Sequence, residues 1–118
     1  MQSNFYLDFE NKFRGDRKSV ILQFSKYDNL VKSTLRYNSN KRFLDIGCGR
    51  GEWLEKWKDH ADECIGIESN QGMIEACKKY QLNVIQGDAV KVLSKLNDES
   101  FSLITIFHVI EHLEQIPL

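Results

Sequence analysis

The sequence holds a single proline (Pro117), few cysteines, no dominant sign of charge and no long apolar run. Each shortage removes a class of protein. With one proline and scattered glycines, no linker separates two domains, and 118 residues suit one. Cys48, Cys64 and Cys77 are odd in number and form no CxxC pair. That argues against a disulfide framework and against a thiolate zinc site, and leaves reduced thiols in a cytoplasmic protein as the expectation. The longest apolar stretch, 103–110, is interrupted by Thr105 and His108 and falls short of the roughly 20 residues that span a bilayer, so no membrane partner is expected. The N-terminal MQSNFYLDFENKF carries acids and lacks the apolar core of a secretory signal. Lys+Arg numbers 16 against 17 Asp+Glu, a formal net charge of −1, which gives no global reason to expect nucleic acid. Hydrophobic residues at 42% and charged residues at 28% exclude a disordered chain.

What is present is a rhythm. Short runs rich in strand formers occur at 42–48 (RFLDIGC), 64–69 (CIGIES), 83–88 (NVIQGD) and 101–109 (FSLITIFHV). Each is apolar along most of its length, as suits strands buried on both faces. Between them lie helical patterns at 51–60, 71–80 and 89–96, whose apolar residues cluster on one side: Trp53, Leu54 and Trp57; Met73, Ile74 and Cys77; Val92, Leu93 and Leu96. Strand and helix in alternation predict an α/β fold with a parallel sheet and right-handed crossovers. Asp45 to Glu68 is 23 positions, Glu68 to Asp88 is 20 and Asp88 to His108 is 20. Each interval fits one strand and one returning helix, so all four residues fall at the carboxyl edge, where open α/β sheets bind ligands.

Ahead of the sheet, residues 1–40 are expected to form an N-terminal helical segment. Val20, Phe24, Tyr27, Val31 and Leu35 step by 4, 3, 4 and 4 along one helix face, with Asp16 or Ser19 as the cap. Phe5, Phe9 and Phe13 form an aromatic stripe that stops at Arg14-Gly15. Such a stripe is ordinarily packing; a lid over the carboxyl edge is the second reading.

The chemistry concentrates at Leu44-Asp45-Ile46-Gly47-Cys48-Gly49-Arg50-Gly51-Glu52. A strand runs into three glycines at alternate positions and a helix begins, which lets the backbone turn sharply and a ligand approach it. A dinucleotide fingerprint needs glycine at position 52, where this chain has Glu52; its carboxylate is expected to repel a pyrophosphate. No Gly-Lys-Ser/Thr follows, so this is no Walker loop. The loop suits a ligand without phosphate, and the surrounding acids favour a cationic one. Glu68, at the end of the second strand, is placed to accept both hydroxyls of a ribose, and Asp88 to accept an adenine amino hydrogen. For any one of these acids alone, a helix cap or a solvated turn is the simpler reading.

Taken together, these residues resemble the class I S-adenosylmethionine-dependent methyltransferases. LDIGCGRGEWL is similar to that family's first motif, GIESNQGMIEAC to its second, GDA at 87–89 to the adenine-side motif, and FSLITIFHVIEHL to the fourth-strand segment. The opening FYLDFENKFRG looks like the start of some bacterial members associated with surface-polysaccharide synthesis. The resemblance implies a Rossmann-like sheet of order 3-2-1-4 with helices on both faces over 41–118, truncated before the family's last three strands. It implies S-adenosylmethionine as cofactor and S-adenosylhomocysteine as product, with no metal. It assigns Asp45, Gly47, Cys48, Gly49 and Gly51 to the methionine side, Glu68 and Ser69 to the ribose, Asp88 and Ala89 to the adenine, Phe107 to the sulfonium, and Arg14 to the cofactor carboxylate. His108 is the candidate base, with a hydrogen-bonded strand-end histidine as the plain alternative.

The expected activity is methyl transfer to a small-molecule or saccharide acceptor, by O-methylation if His108 serves as base. Two other readings stay open: a non-catalytic S-adenosylmethionine-binding or regulatory module, and a nucleotide-binding oxidoreductase domain. The edge of the fourth strand calls for a cover, either the remainder of a longer chain or a second copy in a homodimer. His108, Glu111 and His112 also spell HxxEH, a zinc-peptidase pattern. That reading is set aside, since the first histidine closes a strand where the chemistry needs both on one helical face.

Overall fold

A computed structural model describes residues 16–95 and 101–107. The chain opens with α1 (Arg17–Gln23), a 3-10 turn (Phe24–Tyr27) and α2 (Asp28–Tyr37). There follow β1 (Arg42–Ile46), α3 (Glu52–Trp57), β2 (Glu63–Glu68), α4 (Gln71–Lys79), β3 (Asn83–Gln86), α5 (Ala89–Leu93) and β4 (Leu103–Thr105). The four strands form one parallel sheet in the order β3-β2-β1-β4, as the alternation of strand and helix requires.

The register brings the site together. Asp45 on β1 lies opposite Gly66 of β2 on one side and Thr105 of β4 on the other. Side chains alternate between the two faces. One face carries Phe43, Cys64, Val84 and Leu103, packed with Val20, Phe24 and Val31 of the N-terminal helices, with Trp53, Leu54 and Trp57 of α3, and with Cys77 of α4. The other face carries Leu44, Ile46, Ile65, Ile67 and Ile85 beneath Ala89 and Val92 of α5 and beside Phe101. At roughly 1.5–3 kcal/mol for each large apolar side chain taken fully out of water, the first face is the stronger contributor. The second is thinly covered among the described residues: Ile104 remains 55% exposed.

The helix expected over Val20–Leu35 is divided. α1 ends at Gln23, and Phe24–Tyr27 tighten into a 3-10 turn before α2 begins. In a 3-10 turn, residues three apart eclipse. Phe24 and Tyr27 therefore both reach Trp53, with ring centroids at 5.0 and 6.1 Å, and both meet Phe107. The apolar face predicted from the sequence survives the break, because a step of three suits either geometry. Asp16 caps α1, its carboxylate accepting the Ser19 N–H at 2.8 Å. Two ion pairs hold the N-terminal helices to α3: Arg17 with Glu55 at 2.8 Å and Asp28 with Lys56 at 3.0 Å.

Candidate functional site

β1 ends at Ile46 because Gly47 leaves the extended region. Gly47, Gly49 and Gly51 have φ of 69°, 59° and 85°, in the left-handed region that costs other residues about 1–2 kcal/mol each. The bend is fastened to the neighbouring strand. The N–H groups of Gly47 and Cys48 both donate to the Ile67 carbonyl, at 2.8 and 3.1 Å. Gly51 N–H donates back to the Cys48 carbonyl at 3.0 Å and closes the turn, after which α3 begins. Gly51 also has no room for a side chain: a Cβ there would collide with the Leu82 methyl and lie 2.9 Å from Cys77 Sγ.

Glu68 completes the bend from the end of β2. Its Oε1 accepts the Gly49 N–H at 2.8 Å, while Oε2 accepts the N–H groups of Ser69 at 3.1 Å and Asn70 at 2.9 Å. A carboxylate offers about four acceptor positions, so three backbone donors leave room for one more hydrogen bond before any exchange. Asn70 in turn caps α4 by accepting the Met73 N–H at 3.1 Å.

Below the bend, Asp45 is fully buried and accepts the Thr105 hydroxyl at 2.7 Å, tying β4 to β1 by side chains as well as backbone. Cys48 lies under the loop against Gly66, where a Cβ would come within 2.5 Å of its Sγ. The Cys77 thiol donates to the Gly49 carbonyl at 3.2 Å. A hydrogen bond with Cys77, burial and the charges of Asp45 and Glu68 push the Cys48 thiol far above its ordinary ionisation range. Burial, helped by the charges of Asp45 and Glu63, pushes Cys64 up to about 12. Cys48 and Cys64 are thus held neutral.

The remaining expected residues are placed as follows. Asp88 sits at the end of β3 and caps α5, accepting the Lys91 N–H at 3.3 Å. Ala89 packs on the second core face. Phe107 joins the aromatic cluster, 4.7 Å from Trp53. Ser69 is exposed beside Glu68. Arg14, His108, Glu111 and His112 lie outside the described residues, as does the stripe Phe5, Phe9 and Phe13. One expectation needs correction. Glu52 does not present a bare charge at the loop: it is 1% exposed and ion-paired with Arg50 at 2.5 Å. A buried carboxylate needs a cation, and the loop's own arginine supplies it, so repulsion of a pyrophosphate by Glu52 is not the reason to disfavour a dinucleotide.

Sequence reasoning missed Arg17, Thr105 and Gly66. Thr105 was visible only as an interruption in an apolar run, and Gly66 as an unremarked residue within a strand. Among the described residues no group of three or more His, Cys, Asp or Glu could hold a metal ion, and no helix is long and apolar enough to cross a membrane.

Comparison with known proteins agrees with this geometry. A family profile described as "Methyltransferase domain" matches residues 44–117. The crystal structure of an S-adenosylmethionine (SAM)-dependent methyltransferase from Archaeoglobus fulgidus superposes with a TM-score of 0.76 at 39% identity, covering 92% of this chain and 46% of that one. An uncharacterised methyltransferase of Bacillus subtilis, YcgJ, is 26% identical over 94 residues, which is 74% of this chain and 36% of that protein. An mRNA cap guanine-N(7) methyltransferase of Cryptococcus neoformans is 32% identical over 69 residues, 53% of this chain and 11% of that protein. The chain thus spans less than half the length of each of these relatives. A parallel sheet of order 3-2-1-4, a three-glycine bend clasped by the acid of the next strand, and a family match over most of its length together make this chain a member of the class I S-adenosylmethionine-dependent methyltransferases.

Proposed function

We propose that the protein transfers a methyl group from S-adenosylmethionine to a hydroxyl of a small-molecule or saccharide acceptor. The observation that carries the cofactor half of this reading is the clasp between Glu68 and the Gly49 N–H at 2.8 Å. It places an anion beside a bend in the backbone, at the carboxyl edge of a parallel sheet. In this reading Gly47 to Gly51 receive the methionine part, with Asp45 beneath them. Glu68 takes the ribose hydroxyls, trading one or more of its backbone donors for them, with Ser69 beside it. Asp88 and Ala89 border the adenine, and Phe107 turns an aromatic surface towards the sulfonium. Arg14 pairs with the cofactor carboxylate.

The bound cofactor supplies an electrophilic methyl on a good leaving group. The protein's task is then chiefly alignment of nucleophile, methyl and sulfur. For a hydroxyl acceptor, His108 takes the proton as the carbon–oxygen bond forms and the carbon–sulfur bond breaks, releasing S-adenosylhomocysteine.

The test is calorimetric titration of the full-length protein with S-adenosylhomocysteine, followed by assay with S-adenosylmethionine against panels of saccharides, small hydroxylated metabolites and capped RNA. Micromolar binding with turnover on a saccharide or small hydroxyl compound is the expected result. Turnover on capped RNA alone would replace the acceptor class, and binding without any turnover would favour a regulatory module.

A further inference from the structure

Three consecutive peptide groups of the glycine bend are each held by a side chain from a different element. Glu68 of β2 accepts the N–H of Gly49; Cys77 of α4 donates to the carbonyl of Gly49 at 3.2 Å; Arg17 of α1 donates through Nη1 to the carbonyl of Arg50 at 2.8 Å. The anion takes a donor and the cation takes an acceptor, so the two charges grip the bend from opposite ends of its peptide dipoles. Arg17 is itself fixed in place. Its Nε donates to Glu55 Oε1 at 2.8 Å, and its guanidinium lies 3.7 Å from the centre of the Tyr80 ring at the end of α4. It is largely buried, and it passes behind Gly51, its Nη2 standing 3.8 Å from where a Cβ on that glycine would be.

We infer that Arg17 is a positioning residue for the cofactor: it holds the glycine bend in its ligand-ready shape before anything binds. Glycine loses more backbone freedom on ordering than any other residue, and this bend contains three left-handed glycines within five positions. A bend ordered in advance spares the ligand that cost, so affinity depends on the groups that order it. Glu68 is on the ligand's side of the bend and is the group expected to exchange its hydrogen bonds when the ribose arrives. Arg17 holds the far end and touches no ligand, so its grip persists through binding. The inference rests on the cofactor assignment proposed above, but the ordering of the bend can be measured independently of it.

The test compares wild type, Arg17→Ala, Arg17→Lys and, as a control on an exposed neighbour, Lys18→Ala, all in the full-length protein. Two quantities are measured: the Kd for S-adenosylhomocysteine, and hydrogen exchange of the Gly49–Gly51 amides without ligand. Loss of a charge-assisted hydrogen bond predicts that Arg17→Ala weakens binding about tenfold and speeds exchange in the bend by a similar factor. Exchange in β2 should remain that of wild type. Lysine cannot serve both Glu55 and the Arg50 carbonyl in the same planar geometry, so Arg17→Lys should fall between. With an active acceptor, the KM for cofactor rises while kcat stays within about twofold, a split that general loss of folded protein does not produce. Wild-type affinity and wild-type exchange in a folded Arg17→Ala chain would overturn the inference; if that variant does not fold, the same two readings on Arg17→Lys decide it. A wild-type protein that ignores S-adenosylhomocysteine would overturn the methyltransferase reading instead, and the exchange data would still decide whether Arg17 orders the bend.

Discussion

Gly49 gives its amide hydrogen to Glu68 Oε1 at 2.8 Å, so a residue whose left-handed φ of 59° favours glycine is held by the one expected to receive the ribose. Replacing Glu68 by Gln keeps the shape and removes the charge. We expect a loss of about 1–2 kcal/mol of stability, since three backbone donors lose an anionic acceptor. Affinity for S-adenosylhomocysteine should fall about tenfold or more by the same rule. Urea denaturation and calorimetric titration on one preparation check both. Unchanged affinity would move the ribose contact elsewhere.

Gly51→Ala combines two penalties. The left-handed φ of 85° costs a non-glycine residue about 1–2 kcal/mol, and the new methyl meets Leu82 and Cys77. Overpacking of a tight core adds about 1–3 kcal/mol, so a total of about 2–5 kcal/mol is expected, measured as a shift in the denaturation midpoint.

Cys48 and Gly66 share one volume. Gly66→Ala should destabilise strongly, because its methyl would stand 2.5 Å from Cys48 Sγ. Cys48→Ala removes that sulfur, so the double variant should recover part of the loss. A double-mutant cycle that finds the two changes simply additive would refute the coupling.

Thr105→Val replaces a hydroxyl that donates to the buried Asp45 at 2.7 Å. Removing a donor from a buried carboxylate costs about 1–3 kcal/mol. The effect should concentrate on the β1–β4 pairing, read as faster exchange of β4 amides than of β2 amides.

Alkaline pH should weaken the fold. Cys64 is raised from the ordinary 9.0 to about 12, and Cys48 is raised further. Between pH 9 and 12 the folded chain therefore holds protons that the unfolded chain has released. The stability from these neutral thiols is complete below pH 9 and is lost as the pH climbs towards the folded values, with a limiting slope of about 1.4 kcal/mol per pH unit for each thiol. At the acid end, the hydrogen bond from Ser19 lowers the ionisation of Asp16 below 3.8, so its cap on α1 holds above that value and fades as the pH falls through the lowered one. Denaturation midpoints across pH 8–12 for wild type and Cys64→Val check the alkaline part, with a shallower slope expected in the variant.

The strands and the edge of the sheet were legible because burial on both faces writes itself as largely apolar runs, and intervals of 23 and 20 positions from Asp45 to Glu68 to Asp88 each fit one strand and one returning helix. The direction of a side chain's hydrogen bonds has no such signature. Nothing in the run CIGIES states that Glu68 will accept three backbone donors. Arg14 and Arg17 lie in the same basic stretch, and only the position of α1 against α3 singles out Arg17 for the loop. The break at Phe24 was hidden for a different reason: a step of three between Phe24 and Tyr27 satisfies both a 3.6-residue and a 3.0-residue turn.

The Ile67 carbonyl takes two amide hydrogens from the chain just past β1, and the next residue along β2 takes a third through its carboxylate. The proposed ligand seat is therefore built across two strands. Sliding β2 by one residue past β1 would withdraw that carbonyl and carboxylate together and send Ile67 to the opposite face. Strand alignment and readiness for the cofactor are consequently one variable: chains that mispair while folding have no partly working seat, and chains that pair correctly have a complete one.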